Sequence, residues 1–159
     1  MAKSSAWIER TAFRQLAPAA VDSLLALDAT AKAAGLEPEL LELVKLRASQ
    51  MNGCAFCVQH HLTAARSLRV PREKLDLLVA WQEVDHFTPR ERAALAWTEA
   101  LTEIGMGIQE DDFDDVREHF SEGQLAHLSV AVATINAWNR IAAGFRFTPE
   151  LPGPRAVET

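Results

Sequence analysis

The chain has 159 residues, 48% of them hydrophobic and 24% charged, which fits a single soluble domain, 1–159, with a real core. A formal charge of −6 and an isoelectric point near 5.3 argue against nucleic-acid binding, which needs a basic face. No apolar run approaches the ~18 residues of a membrane span, and the opening "MAKSSAWIERTAF" has no apolar export region, so the expected location is cytoplasmic.

Taken in order, residues 1–14 read as an N-terminal arm, within which Trp7 is suited to pack on a neighbouring subunit. Helices are expected near 18–34, 38–51, 54–69, 72–82, 89–104, 110–119 and 122–143. Pro18, Pro38, Pro71 and Pro89 each suit a first helical turn, where the missing N–H costs nothing. "TPRE" (Thr88 to Glu91) and "SEGQ" (Ser121 to Gln124) read as capping boxes. Leu40, Leu41, Val44 and Leu46 with Met51 line one segment, and Leu125, Leu128, Val132 and Ile135 line another, at helical spacing. Alternating β-branched runs are missing, so an all-α domain with little or no sheet is expected. The acidic "EDDFDD" (Glu110 to Asp115) lacks a calcium-loop pattern and suits a solvated helix start. The last helix is apolar around much of its circumference, which places it centrally or in a subunit interface. The tail 149–159 is Pro-rich and expected to be loose.

"NGCAFCVQHH" (52 to 61) holds both cysteines and two of the five histidines. Asn52-Gly53 is a turn signal that puts Cys54 in the first turn of the next helix. At about 100° per residue, Cys54, Cys57 and His61 fall within roughly 60° of one another, whereas His60 points elsewhere. The helix N-terminus favours thiolate over thiol. An imidazole four residues beyond Cys57 can take its proton. A thiol pair at this spacing can close a disulfide, so one sulfur attacks an oxidant and the other resolves the product. Glu42, on the preceding helix, can fold back to orient His61. A structural staple fits a reducing compartment poorly. Structural zinc lacks a fourth ligand that one helical turn could supply, so no metal is expected. Redox chemistry therefore ranks above packing for the pair.

Glu42, eleven residues, "CAFC" and three more to His61 resembles the E-x11-C-x-x-C-x3-H signature of alkylhydroperoxidase AhpD-like proteins, in the carboxymuconolactone decarboxylase superfamily. "LVKLRASQMNGCAFCVQHHLTAAR" looks like the family core, with "FTPRERAALAWTEALT" and "INAWNRIAAGFR" like flanking blocks, so the resemblance covers about 15–148. It implies a motif helix packed against a helical hairpin, assembly into dimers, trimers or hexamers, and peroxide reduction through the cysteine pair. Carried over by position, Cys57 would be peroxidatic, Cys54 resolving, and His61 with Glu42 the proton relay. Helix-dipole logic alone favours Cys54 as the thiolate. The best-known AhpD proteins carry a histidine between the cysteines. Here Ala55 and Phe56 stand there, which makes a drier mouth suited to a bulky or apolar oxidant.

The expected activity is thus a thiol-dependent hydroperoxide reductase, an oxidoreductase with no bound cofactor. Nothing resembles a GxGxxG nucleotide site, so an external dithiol or a lipoyl-bearing protein must supply the electrons. The alternatives are a non-catalytic redox sensor whose cysteines toggle an interface, and a decarboxylase-type non-redox enzyme. Trp81, Trp97 and Trp138 read as core or interface, His127 as a satisfied core or surface histidine, and His86 and His119 as solvated. Lys45 and Arg47 either bias the potential of the motif or reach solvent. Asn136, Asn139 and Arg140 need partners on a mostly apolar helix, a carboxylate on a neighbouring helix or subunit being the expectation for Arg140.

Overall fold

In the computed structural model, residues 6–151 are described. They form eight α-helices: α1 (Arg10–Leu16), α2 (Pro18–Ala33), α3 (Pro38–Met51), α4 (Ala55–Ser67), α5 (Arg72–Leu77), α6 (Pro89–Thr102), α7 (Glu110–His119) and α8 (Glu122–Gly144). Short 3-10 turns follow α5 (Leu78–Glu83) and α6 (Ile104–Met106), and no strand occurs among the described residues. The fold is all-α. The expected loose tail falls mostly on 152–159, outside the described residues.

Local signals start most helices where the sequence places them. Pro18, Pro38 and Pro89 open α2, α3 and α6. Both capping boxes form: Thr88 Oγ1 accepts from the Glu91 N–H at 3.2 Å while Glu91 Oε2 accepts from the Thr88 N–H at 2.8 Å, and Ser121 and Gln124 repeat the exchange. The acidic stretch forms the first turn of α7, where carboxylates meet the positive helix end.

Two elements depart from expectation. Pro71 stands one residue before α5, its carbonyl accepting from the Lys74 and Leu75 N–H groups, and the helix expected over 72–82 breaks at the non-helical Ala80. The helix α1 carries no signal in the sequence, and Glu9 before it makes no side-chain cap. Tertiary contact holds it instead. Phe13 packs against Phe145 and Phe147, with ring centroids 5.6 and 5.9 Å away, and the Trp7 N–H donates to the Phe145 carbonyl beside it.

α3 is central. Its Leu40, Leu41 and Val44 join one apolar cluster with α6, α7 and α8 residues, while Leu43 and Leu46 join a second with α4, the 3-10 turn and α6. Each such leucine contributes about 2 kcal/mol by leaving water. α8 packs against α2, α3, α4, α6 and α7, and so is central too. Helices this central bury polar residues as well. On α3 these are Glu42, Lys45 and Ser49, and on α8 Thr134, Asn136 and Asn139.

Candidate functional site

The turn between α3 and α4 is anchored to α8. Asn52 Nδ2 donates to Asn136 Oδ1 at 3.0 Å, and Ser49 Oγ donates to Asn139 Oδ1 at 3.0 Å. These bonds give both asparagine Oδ1 atoms partners, while the buried Asn139 Nδ2 has none among the described residues. Arg140 meets no carboxylate among the described residues. Its Nη1 donates to the Asn136 carbonyl and Oδ1, because the exposed guanidinium can curl back along its own helix. Gly53 adopts φ +63°, a left-handed conformation that glycine reaches without a Cβ penalty. The chain then reverses and delivers Cys54 to the N-cap of α4, its N–H donating to the Ser49 carbonyl.

Cys54 and Cys57 are joined as a disulfide, with Cα atoms 5.3 Å apart. The two sulfurs have different surroundings. Cys54 Sγ accepts from the Cys57 N–H at 3.2 Å, so it caps the helix and sits in its positive field. Cys57, one turn on, lines a cavity of about 180 Å³. His61 lines the same cavity, and its Nδ1–H donates to Glu42 Oε2 at 2.8 Å. That bond fixes the ring and leaves Nε2 to take up a proton.

Glu42 is only 6% exposed. Burial alone would push its carboxyl up, but the hydrogen bond from His61 and the charges of His61 and Lys45 hold it below its ordinary value. Lys45 neither reaches solvent nor stands idle. It is 3% exposed, with Nζ 2.6 Å from Asp28 Oδ1 and 3.5 Å from Glu42 Oε1. The result is a series running from half-buried Asp28 on α2 through buried Lys45 and Glu42 on α3 to buried His61 on α4. Arg47 belongs elsewhere and pairs with Glu99.

Sequence spacing misplaces one residue here. His60, expected to point away, lines the cavity beside His61, because the opening extends around α4 to Phe56, whose ring stacks with that of His60. Burial, then the charge of neighbouring His61, holds His60 below its ordinary 6.5, with Glu42 opposing. Trp138 also lines the cavity, whereas Trp81 and Trp97 are buried and donate to Glu99 and Ser129. Trp7 is 68% exposed beneath the Arg146 guanidinium. His127 turns back to its own helix, Nδ1–H donating to the Gly123 carbonyl. The apolar walls of the cavity are Phe13, Val21, Leu25, Phe56, Ile135, Ala142 and Phe147, the Asp28–Lys45 ion pair lines it too, and Arg10 and Arg14 of α1 line it from the solvent side. Only α1, invisible in the sequence, could have shown that the cavity has a roof.

A largely apolar chamber thus holds a sulfur of a redox pair and an oriented imidazole, with the buried Glu42 carboxylate behind the ring. Such a set can activate a thiolate and pass a proton to a leaving oxygen.

Known proteins carry the same frame. The family model described as the carboxymuconolactone decarboxylase family matches residues 18–100. The uncharacterized protein YdfG of Bacillus subtilis (strain 168) is 34% identical over 135 residues, 84% of this chain and 92% of its own length. A crystal structure from Agrobacterium tumefaciens, of a protein of unknown function named for AhpD antioxidant defence, is 38% identical with TM-score 0.84, covering 88% of this chain and 97% of that one. The debrominase Bmp8 shares the fold at 24% identity and TM-score 0.75, over 84% of this chain and 72% of its own.

Proposed function

The chain is an AhpD-like member of the carboxymuconolactone decarboxylase family, and from that premise we propose that it is a cytoplasmic, thiol-dependent hydroperoxide reductase. The observation that carries this reading is the placement of Cys57 and His61 on one cavity, with His61 held at 2.8 Å by buried Glu42.

In the reduced protein His61 takes the Cys57 proton, and the thiolate attacks the outer peroxide oxygen. The O–O bond breaks, Cys57 becomes a sulfenic acid, and the departing alkoxide takes the proton from His61 and leaves as an alcohol. The Cys54 thiol then displaces water from the sulfenic acid and closes the disulfide. An external dithiol of lipoyl type attacks Cys57 from the cavity side. Cys54 leaves as a thiolate, which the Cys57 N–H and the helix field stabilise. A second exchange frees Cys57 and oxidises the dithiol. Glu42 keeps His61 in one tautomer throughout, and Lys45 keeps Glu42 charged.

The test is hydroperoxide consumption with excess dihydrolipoamide. Many turnovers by the wild type, lost in both Cys54→Ser and Cys57→Ser, are expected. Full activity in Cys57→Ser would end this assignment. A single stoichiometric oxidation that stalls would indicate a redox sensor, and an activity surviving loss of both cysteines would indicate non-redox chemistry.

A further inference from the structure

The charges around the cavity are unevenly spread. On the buried side Lys45 is neutralised by Asp28 at 2.6 Å and by Glu42, so it has no charge to offer a ligand. Burial and the charge of His61 lower His60, which disfavours its charged form. On the solvent side stand Arg10 and Arg14, one turn apart on a face of α1 that carries no acidic side chain between them. Arg14 makes no ion pair among the described residues, and Arg10 has only Glu150 at 4.0 Å, 87% exposed. The Arg10 guanidinium lies 5.8 Å from the Phe56 ring, which is itself part of the cavity wall next to Cys57. Two exposed cations at the rim of a largely apolar chamber stand out in a chain of net charge −6.

The volume limits what enters. A cavity of roughly 150 Å³ accommodates benzene, so about 180 Å³ holds one substituted ring or a short branched chain. Planar guanidinium forks match a carboxylate better than any neutral group. Building on the reductase reading, we propose that the substrate is a small carboxylated organic hydroperoxide, its apolar body filling the cavity, its peroxide against Cys57 and its carboxylate on Arg10 and Arg14. Two anchors at opposite ends of one molecule also orient it, since the buried end offers no free cation and would reject the carboxylate.

Two measurements test this separately from the reductase activity itself. The first compares kcat/KM for cumene hydroperoxide and its para-carboxylated derivative. A preference of about tenfold for the carboxylated compound is expected. The ratio should approach unity in Arg10→Gln/Arg14→Gln, recover only in part in Arg10→Lys/Arg14→Lys, and shrink with added salt. A ratio near unity in the wild type, or one unmoved by the glutamine pair, overturns the proposal. The second measures binding of para-isopropylbenzoate and of isopropylbenzene to the disulfide form by calorimetry, where no turnover is required. Tighter binding of the carboxylate, weakened by the glutamine pair, supports the proposed ligand class even if no peroxide is consumed. Equal binding with normal peroxide turnover removes the ligand class and leaves the reductase reading intact.

Discussion

Glu42 on α3 and Glu99 on α6 are both inward-drawn glutamates that gather several donors, and their surroundings differ in kind. Glu99 accepts from Arg47 at 2.7 Å, from the Trp81 indole at 2.6 Å and from Gln82 at 3.4 Å. A guanidinium, an indole and an amide keep their protons wherever the protein is folded. Glu42 accepts from His61, whose ring can gain or lose a proton and which shares a cavity with Cys57. One carboxylate ties helices together and the other steers a proton. Burial and good hydrogen bonds do not distinguish them, whereas a titratable partner beside a reactive sulfur does.

That contrast can be broken by exchanging the two losses. In Glu42→Gln the imidazole loses its anionic partner, and peroxide kcat/KM should fall about a thousandfold, worth roughly 4 kcal/mol. Steady-state kinetics with dihydrolipoamide as reductant measures this, and near-wild-type activity would demote Glu42 to a packing group. In Glu99→Ala the Arg47 and Trp81 donors are stranded, and denaturant unfolding should show a loss of about 3 kcal/mol. Activity per folded molecule should stay within about twofold, and a larger drop would mean that the two carboxylates are coupled.

The smallest effect is the dependence of stability on acidity. Because the native Glu42 carboxyl lies below its ordinary 4.5, the stabilisation it supplies is complete above that value. It is lost as pH falls from 4.5 through the lowered native value. Thermal midpoints taken across this window should decline more steeply for wild type than for Glu42→Gln. Parallel curves would place the acid-sensitive group elsewhere.

Much of this was readable from spacing alone. The prolines at 18, 38 and 89 and the boxes at Thr88 and Ser121 act through neighbours in sequence, so they survive being read in one dimension. The contact of Glu42 with His61 was also legible, because a single tight turn folds α4 back along α3. What escaped depends on partners far along the chain. Lys45 is explained by Asp28 on another helix, α1 by aromatic rings more than a hundred residues away, and the cavity-facing positions of His60 and Trp138 by the roof that α1 supplies.

The sulfur of Cys54 acts as the cap of α4 as well as half of the redox pair. This dual duty governs which knock-out can serve as a control. Serine is a preferred capping residue, so Cys54→Ser removes the redox half while its hydroxyl still receives the Cys57 N–H. Alanine would remove both, costing about 1 kcal/mol of helix stability on top of the lost chemistry. An inactive alanine variant therefore mixes a fraying helix with a missing thiol, and only the serine variant reports on the sulfur alone.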